Sequence, residues 1–123
     1  MQLIFALMFF GWVGGQSMPV VSSHYVCAGK DPDGKAYTLP LEIETRKDNY
    51  FLTWGDGGMI GMGFVDDGAL VAVLVHRESG SLGVVNYHIS PGQLTGRWAA
   101  GDGMIYNETC MVGTAAEHPT IQA

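Results

Sequence analysis

Period-two alternation of side chains recurs in segment after segment from about residue 23, whereas spacing at i, i+3, i+4 and i+7 is not sustained anywhere after residue 20. A period of two belongs to strands. Tyr37, Leu39, Leu41 and Ile43 alternate with Thr38, Pro40, Glu42 and Glu44, which sends the first set to a core and the second to water. Tyr50, Leu52 and Trp54 share the next inward face. Ile60, Met62 and Phe64 then form the expected inward set against Met59, Gly61, Gly63 and Val65, the glycines allowing a bend or a close backbone approach. Leu70 to Val75 is apolar on both faces, as in a strand covered on each side or one whose outer face is incompletely wetted. Val85, Tyr87 and Ile89 alternate with Asn86 and His88, and Leu94, Gly96 and Trp98 with Thr95 and Arg97. A first strand over 23–28 and a last over 104–111 bring the number to eight.

Turn signals separate these segments about every ten residues, the spacing of a sandwich or a barrel. Four turns place a glycine just before aliphatic residues: Gly58-Met59-Ile60, Gly68-Ala69-Leu70, Gly92-Gln93-Leu94 and Gly103-Met104-Ile105. That regularity predicts a meander. The expected fold is therefore all-β, a single eight-stranded antiparallel up-and-down β-barrel, with a β-sandwich as the alternative. Closure removes the exposed strand edges that an open sheet would leave. Pro40 has no N–H to donate, so the second strand is expected to carry a bulge or an interrupted ladder.

Ahead of the strands, Leu3 to Val13 is an uninterrupted apolar run, too short to span a bilayer but of the length of a secretory signal core. Gly15-Gln16-Ser17 supplies a small-x-small cleavage site, although no Lys or Arg precedes the run. The expected organisation is a helical signal peptide over 1–17, a barrel over 18–112 and a flexible C-terminal tail over 113–123. The alternative for the first segment is a retained hydrophobic helix anchoring the domain. Two cysteines, Cys27 and Cys110, fit export because an oxidising compartment lets them pair. Their bridge would join first strand to last and close a loop long enough to contribute about 4–5 kcal/mol. No lipobox precedes Cys27, so lipidation is the weaker use of that thiol.

Composition narrows the function. A chain of 123 residues is expected to hold one domain, and 47% hydrophobic against 15% charged residues is a globular balance. With 6 Lys and Arg against 12 Asp and Glu and no basic run, nucleic acid is not an expected partner, nor is a membrane once the signal is removed. His24, His76, His88 and His118 stand singly, so no metal site is expected. Asp31-Pro32-Asp33-Gly34 lacks the ligand set of an EF-hand and reads as a turn. Glu42 and Glu44 lie about 7 Å apart on one strand, a spacing compatible with glycosidase carboxylates, but on the wet face. Glu42, Glu44, Asp102 and Glu108 would have to converge from different strands to make a hydrolase. Asn107-Glu108-Thr109 matches a glycosylation sequon that matters only in a eukaryotic host.

Aromatic residues offer the better lead. Tyr37, Tyr50, Trp54, Phe64, Tyr87 and Trp98 all fall on expected inward faces, where they either fill the barrel or leave a ligand site at its open end. Trp54, Tyr87 and Trp98 carry polar ring atoms that need partners, and are the candidate ligand residues.

Several segments together resemble small exported bacterial proteins labelled fibronectin-binding-like. They are Gly29-Lys30-Asp31-Pro32-Asp33-Gly34-Lys35-Ala36-Tyr37, Asn49-Tyr50-Phe51-Leu52-Thr53-Trp54, Gly61-Met62-Gly63-Phe64, Gly83-Val84-Val85-Asn86-Tyr87 and Leu94-Thr95-Gly96-Arg97-Trp98. The resemblance covers most of residues 25–109 and implies export and a lipocalin- or avidin-like barrel. Tyr25-Val26-Cys27-Ala28-Gly29 more faintly resembles the first strand of periplasmic lysozyme-inhibitor barrels. The functional expectation is a non-catalytic exported module without a cofactor, binding a protein or a small apolar ligand. The alternatives are an inhibitor of a cell-wall hydrolase and a small hydrolase.

Overall fold

A computed structural model describes residues 20–114. Eight strands follow one another as β1 (His24–Lys30), β2 (Ala36–Thr45), β3 (Tyr50–Trp54), β4 (Met59–Asp66), β5 (Ala69–His76), β6 (Leu82–Ser90), β7 (Gln93–Ala99) and β8 (Ile105–Val112). Each pairs antiparallel with the next, and β8 pairs with β1, so the sheet is a closed up-and-down barrel rather than a sandwich. The expected signal segment 1–17 and residues 115–123 of the expected tail lie outside the described residues.

Turn chemistry sets the register. Asp67 and Gly68 both take positive φ, 53° and 79°, the type I′ geometry whose twist matches a two-residue hairpin, and Asp66 pairs directly with Ala69. Pro91-Gly92 also makes a two-residue turn, between Ser90 and Gln93, but with only Gly92 at positive φ, 72°, the pattern of a type II turn. Cys27 faces Cys110 in the β1–β8 register and is bonded to it, so the disulfide lies on the seam where the barrel closes.

Two expectations are corrected. No bulge occurs at Pro40: the β1–β2 register runs unbroken from His24↔Glu42 through Val26↔Pro40 to Lys30↔Ala36. The Pro40 carbonyl accepts from the Gly55 N–H at 2.8 Å, on the β3 side. Since a strand residue turns its N and O to the same side, the missing N–H costs no bond to β1. In β4 the faces are reversed. Gly61 and Gly63 point inward, while Met62 and Phe64 are more than half exposed. A side chain at Gly61 would strike the Trp54 ring and the Val73 carbonyl, and one at Gly63 would strike Ala72, so only glycine fits the inner wall here.

Reversal of β4 also explains the two-sided apolarity of β5. Leu70 and Ala72 are buried inside, whereas Val71 and Val73 face out beside Phe64 and Met62. Phe51, Met62, Val73, Val84, Ala99 and Ile105 form one register row across six strands, an apolar band on the outer wall. Inside, the end holding the β2–β3, β4–β5 and β6–β7 turns is packed with Ile43, Leu52, Leu70, Ile89 and Leu94. Each fully buried leucine stabilises the fold by about 1.5–3 kcal/mol relative to exposure. The opposite end is different.

Candidate ligand cavity

At the end bearing the β1–β2, β3–β4, β5–β6 and β7–β8 connections the interior opens into a cavity of about 370 Å³. Its walls come from inward positions of six strands: Tyr37 and Leu39 of β2, Trp54 of β3, Met59 of β4, Leu74 of β5, Val85 and Tyr87 of β6, and Trp98 of β7. Glu108 of β8 lies among them and is the buried charged side chain of the described residues. Asp31, His76, Ser79 and Ser81 stand at the rim.

A single register row builds the polar centre. Tyr87 on β6 is opposite Gly96 on β7, Gly96 is opposite Glu108 on β8, Glu108 is opposite Gly29 on β1, and Gly29 is opposite Tyr37 on β2. Glutamate is thus flanked by two glycines, and each glycine by a tyrosine. Neighbouring strands are about 4.8 Å apart, so a phenol two strands away reaches the carboxylate only by lying over the strand between. A Cβ on Gly96 would come within 2.4 Å of Tyr87 Cδ1, and one on Gly29 within 2.6 Å of Tyr37 Oη. Both glycines are the floor on which the phenols lie.

Hydrogen bonds converge on the carboxylate from both sides. Tyr37 Oη donates to Glu108 Oε1 at 2.5 Å, and Tyr87 Oη donates to Oε2. Trp98 Nε1 donates to Tyr37 Oη at 3.2 Å, and Trp54 Nε1 to Tyr87 Oη at 3.0 Å. The result is a near-symmetric relay, indole to phenol to carboxylate on each side. Burial raises the Glu108 carboxyl above the ordinary glutamate value, and the two donated phenol bonds partly offset that rise. Burial, followed by the adjoining carboxylate, holds both the Tyr37 and the Tyr87 phenols well above the ordinary range.

Cys110 Sγ is 3.5 Å from Glu108 Oε2. A disulfide sulfur carries no proton, so this is a packing contact and not a donated bond. Cys27, Glu108 and Cys110 bring ligand-type atoms within 4.8 Å of one another, yet with both sulfurs bonded to each other there is no thiolate for a metal.

All three candidate ligand residues, Trp54, Tyr87 and Trp98, meet at this one cavity. Phe64, expected inside with them, is on the outer wall. Glu42 and Glu44 lie on the exposed face of β2, away from the cavity, and His24, His76 and His88 are exposed; His118 lies outside the described residues. The Asp31 carboxylate caps its own turn, accepting the N–H groups of Asp33 and Lys35 at 2.9 Å each, which accounts for the Asp-Pro-Asp-Gly motif. Near the rim, Tyr106 stacks on Trp98 at 4.5 Å between ring centroids and donates to the Asp102 carboxylate. Asn107 of the sequon is exposed in mid-strand, while the next residue is the buried Glu108. Glu108 and Tyr37 complete the site, and the signal for Glu108 is parity: it shares a face with Cys110, whose partner Cys27 sits in a core strand.

Comparison with protein-family models, with curated proteins and with solved structures finds no match to this chain.

Proposed function

We propose that this protein is an exported, non-catalytic binding module that takes a small, largely apolar ligand into the open end of its barrel. The observation that carries the reading is the cavity of about 370 Å³, walled by aliphatic and aromatic side chains, with a few polar atoms converging at one place. That combination is the ordinary form of a small-molecule site. The Cys27–Cys110 bond and the apolar run over residues 3–13 support export. A binding role is supported over hydrolysis because both Glu108 oxygens accept hydrogen bonds from phenols, and the other carboxylate lining the cavity, Asp31, is engaged by its own turn.

Titration of the purified chain with N-phenyl-1-naphthylamine, a neutral dye whose emission rises in apolar surroundings, tests the reading. One saturable site is expected, and Leu74→Trp, which places an indole in the cavity, should abolish it. Binding that does not saturate, or that Leu74→Trp leaves unchanged, would overturn it.

A protein partner held on the barrel wall is a second reading, favoured by the exposed band through Met62, Val73 and Val84. Val73→Lys should weaken such a contact and leave dye binding as it was.

A further inference from the structure

Every hydrogen-bond donor in the depth of the cavity is already spent. The two indole N–H groups go to the phenol oxygens and the two phenol protons go to Glu108. A carboxylate oxygen accepts more than one bond and a phenol oxygen has a second lone pair, so what remains for a guest is acceptor capacity only. Charge points the same way. The ionisable side chains lining the cavity are Glu108, the two phenols, Asp31 and His76, with no Lys or Arg among them. Glu108 therefore sits in an apolar enclosure with hydrogen bonds but no counter-ion, which is the costly half of an ion pair. Around it stand four aromatic rings whose faces attract cations.

From this arrangement we infer that the ligand is a small organic ammonium ion with an apolar body, its N–H groups directed at Glu108 and its carbon skeleton against Trp54 and Trp98. The inference rests on the cavity being a ligand site, as proposed above, and adds the chemistry it selects. A carboxylate ligand would meet Glu108 with like charge. An alcohol can donate one bond but supplies no charge.

Competition against the bound naphthylamine dye separates these cases, using 3-phenylpropylamine, 3-phenylpropan-1-ol and 4-phenylbutyrate as probes of similar body. At pH 7 the amine should compete about tenfold or more better than the alcohol, with the carboxylate weakest. Glu108→Gln should remove that advantage and leave the alcohol within about threefold of its original affinity. The amine's affinity in the unaltered protein should also fall as the medium is acidified and Glu108 takes up its proton, while the alcohol's stays level. Tyr37 and Tyr87 bond Glu108 directly, Trp98 and Trp54 stand behind those phenols, and Asp31 and His76 face the same cavity from the rim. The acid dependence must persist in His76→Gln, which removes the imidazole at the rim.

Equal competition by amine and alcohol, or an amine advantage that survives in Glu108→Gln, would overturn the inference. Dye binding with no competition from the amine would overturn it while leaving the cavity reading standing. Failure of the dye itself to bind would remove both.

Discussion

Tyr87 and Glu108 lie two strands apart in one register row, and they meet because Gly96 between them has no side chain. Gly96→Ala should therefore lift the Tyr87 ring off β7 and break its bond to the carboxylate, at a cost of about 1–3 kcal/mol. Gly29→Ala should do the same to Tyr37 on the other side. Gly101→Ala, where a Cβ meets nothing within 4 Å, is the control and should stay within about 0.5 kcal/mol. Urea unfolding followed by tryptophan emission measures all three; equal stabilities across the set would contradict the packing described.

Glu108 gives the fold a definite pH signature. Burial raises its folded value above that of the unfolded chain, so its contribution is fully present below about pH 4.3, the unperturbed glutamate value, and is lost as pH rises through the folded value. The stability of the unaltered protein minus that of Glu108→Gln should be most favourable in mild acid and decline toward neutrality. A difference that grows with pH would mean that the phenol bonds outweigh burial.

Alkaline titration reads the tyrosines. Tyr37 and Tyr87 should ionise well above the ordinary phenol value of about 10, and the stability they contribute should be fully present below about pH 10 and lost as pH rises from there through those raised values. Tyr106, half-buried near the rim, is pushed up to about 12 mainly by its hydrogen bond to Asp102. Asp102→Asn should bring Tyr106 back down while leaving Tyr37 and Tyr87 where they are, observable from the ring Cζ carbon shifts. Movement of all three together would show the rim and the buried row to be linked.

Removing the seam bond as Cys27→Ala with Cys110→Ala should lower stability by at most about 4–5 kcal/mol, since the sequence separation of 83 residues sets the loop entropy returned to the unfolded chain. The β1–β8 ladder of backbone bonds remains, so denaturant midpoint should fall while the far-ultraviolet spectrum keeps its strand character. A spectrum that loses strand content would mean that the bond, and not the ladder, closes the barrel.

Much of this architecture was legible in the alternation of side chains, and the reasons it failed in places are physical. Strands such as Val85-Asn86-Tyr87-His88-Ile89 set apolar against polar residues, so inside and outside could be told apart. Met59 to Val65 offers no such contrast. Its larger apolar residues point to a core by size, but the interior beside Trp54 and Ala72 has room for nothing beyond Gly61 and Gly63. Only the neighbouring strands settle that choice. Trp54, Tyr87 and Trp98 were legible as candidates because an indole or phenol turned inward needs a partner, while the partner was hidden by its type: a glutamate reads as surface until the parity of Cys110 places it inside.

The first strand begins, and the last one ends, at the packed end of the barrel, where the Gly113 N–H donates to the His24 carbonyl at 2.9 Å. Both exits of the polypeptide therefore leave from behind the mouth. Tethered at either of these strand ends, on a bead, a carrier protein or a cell surface, the barrel would stand like a cup on its stem, with its mouth on the side away from the tether.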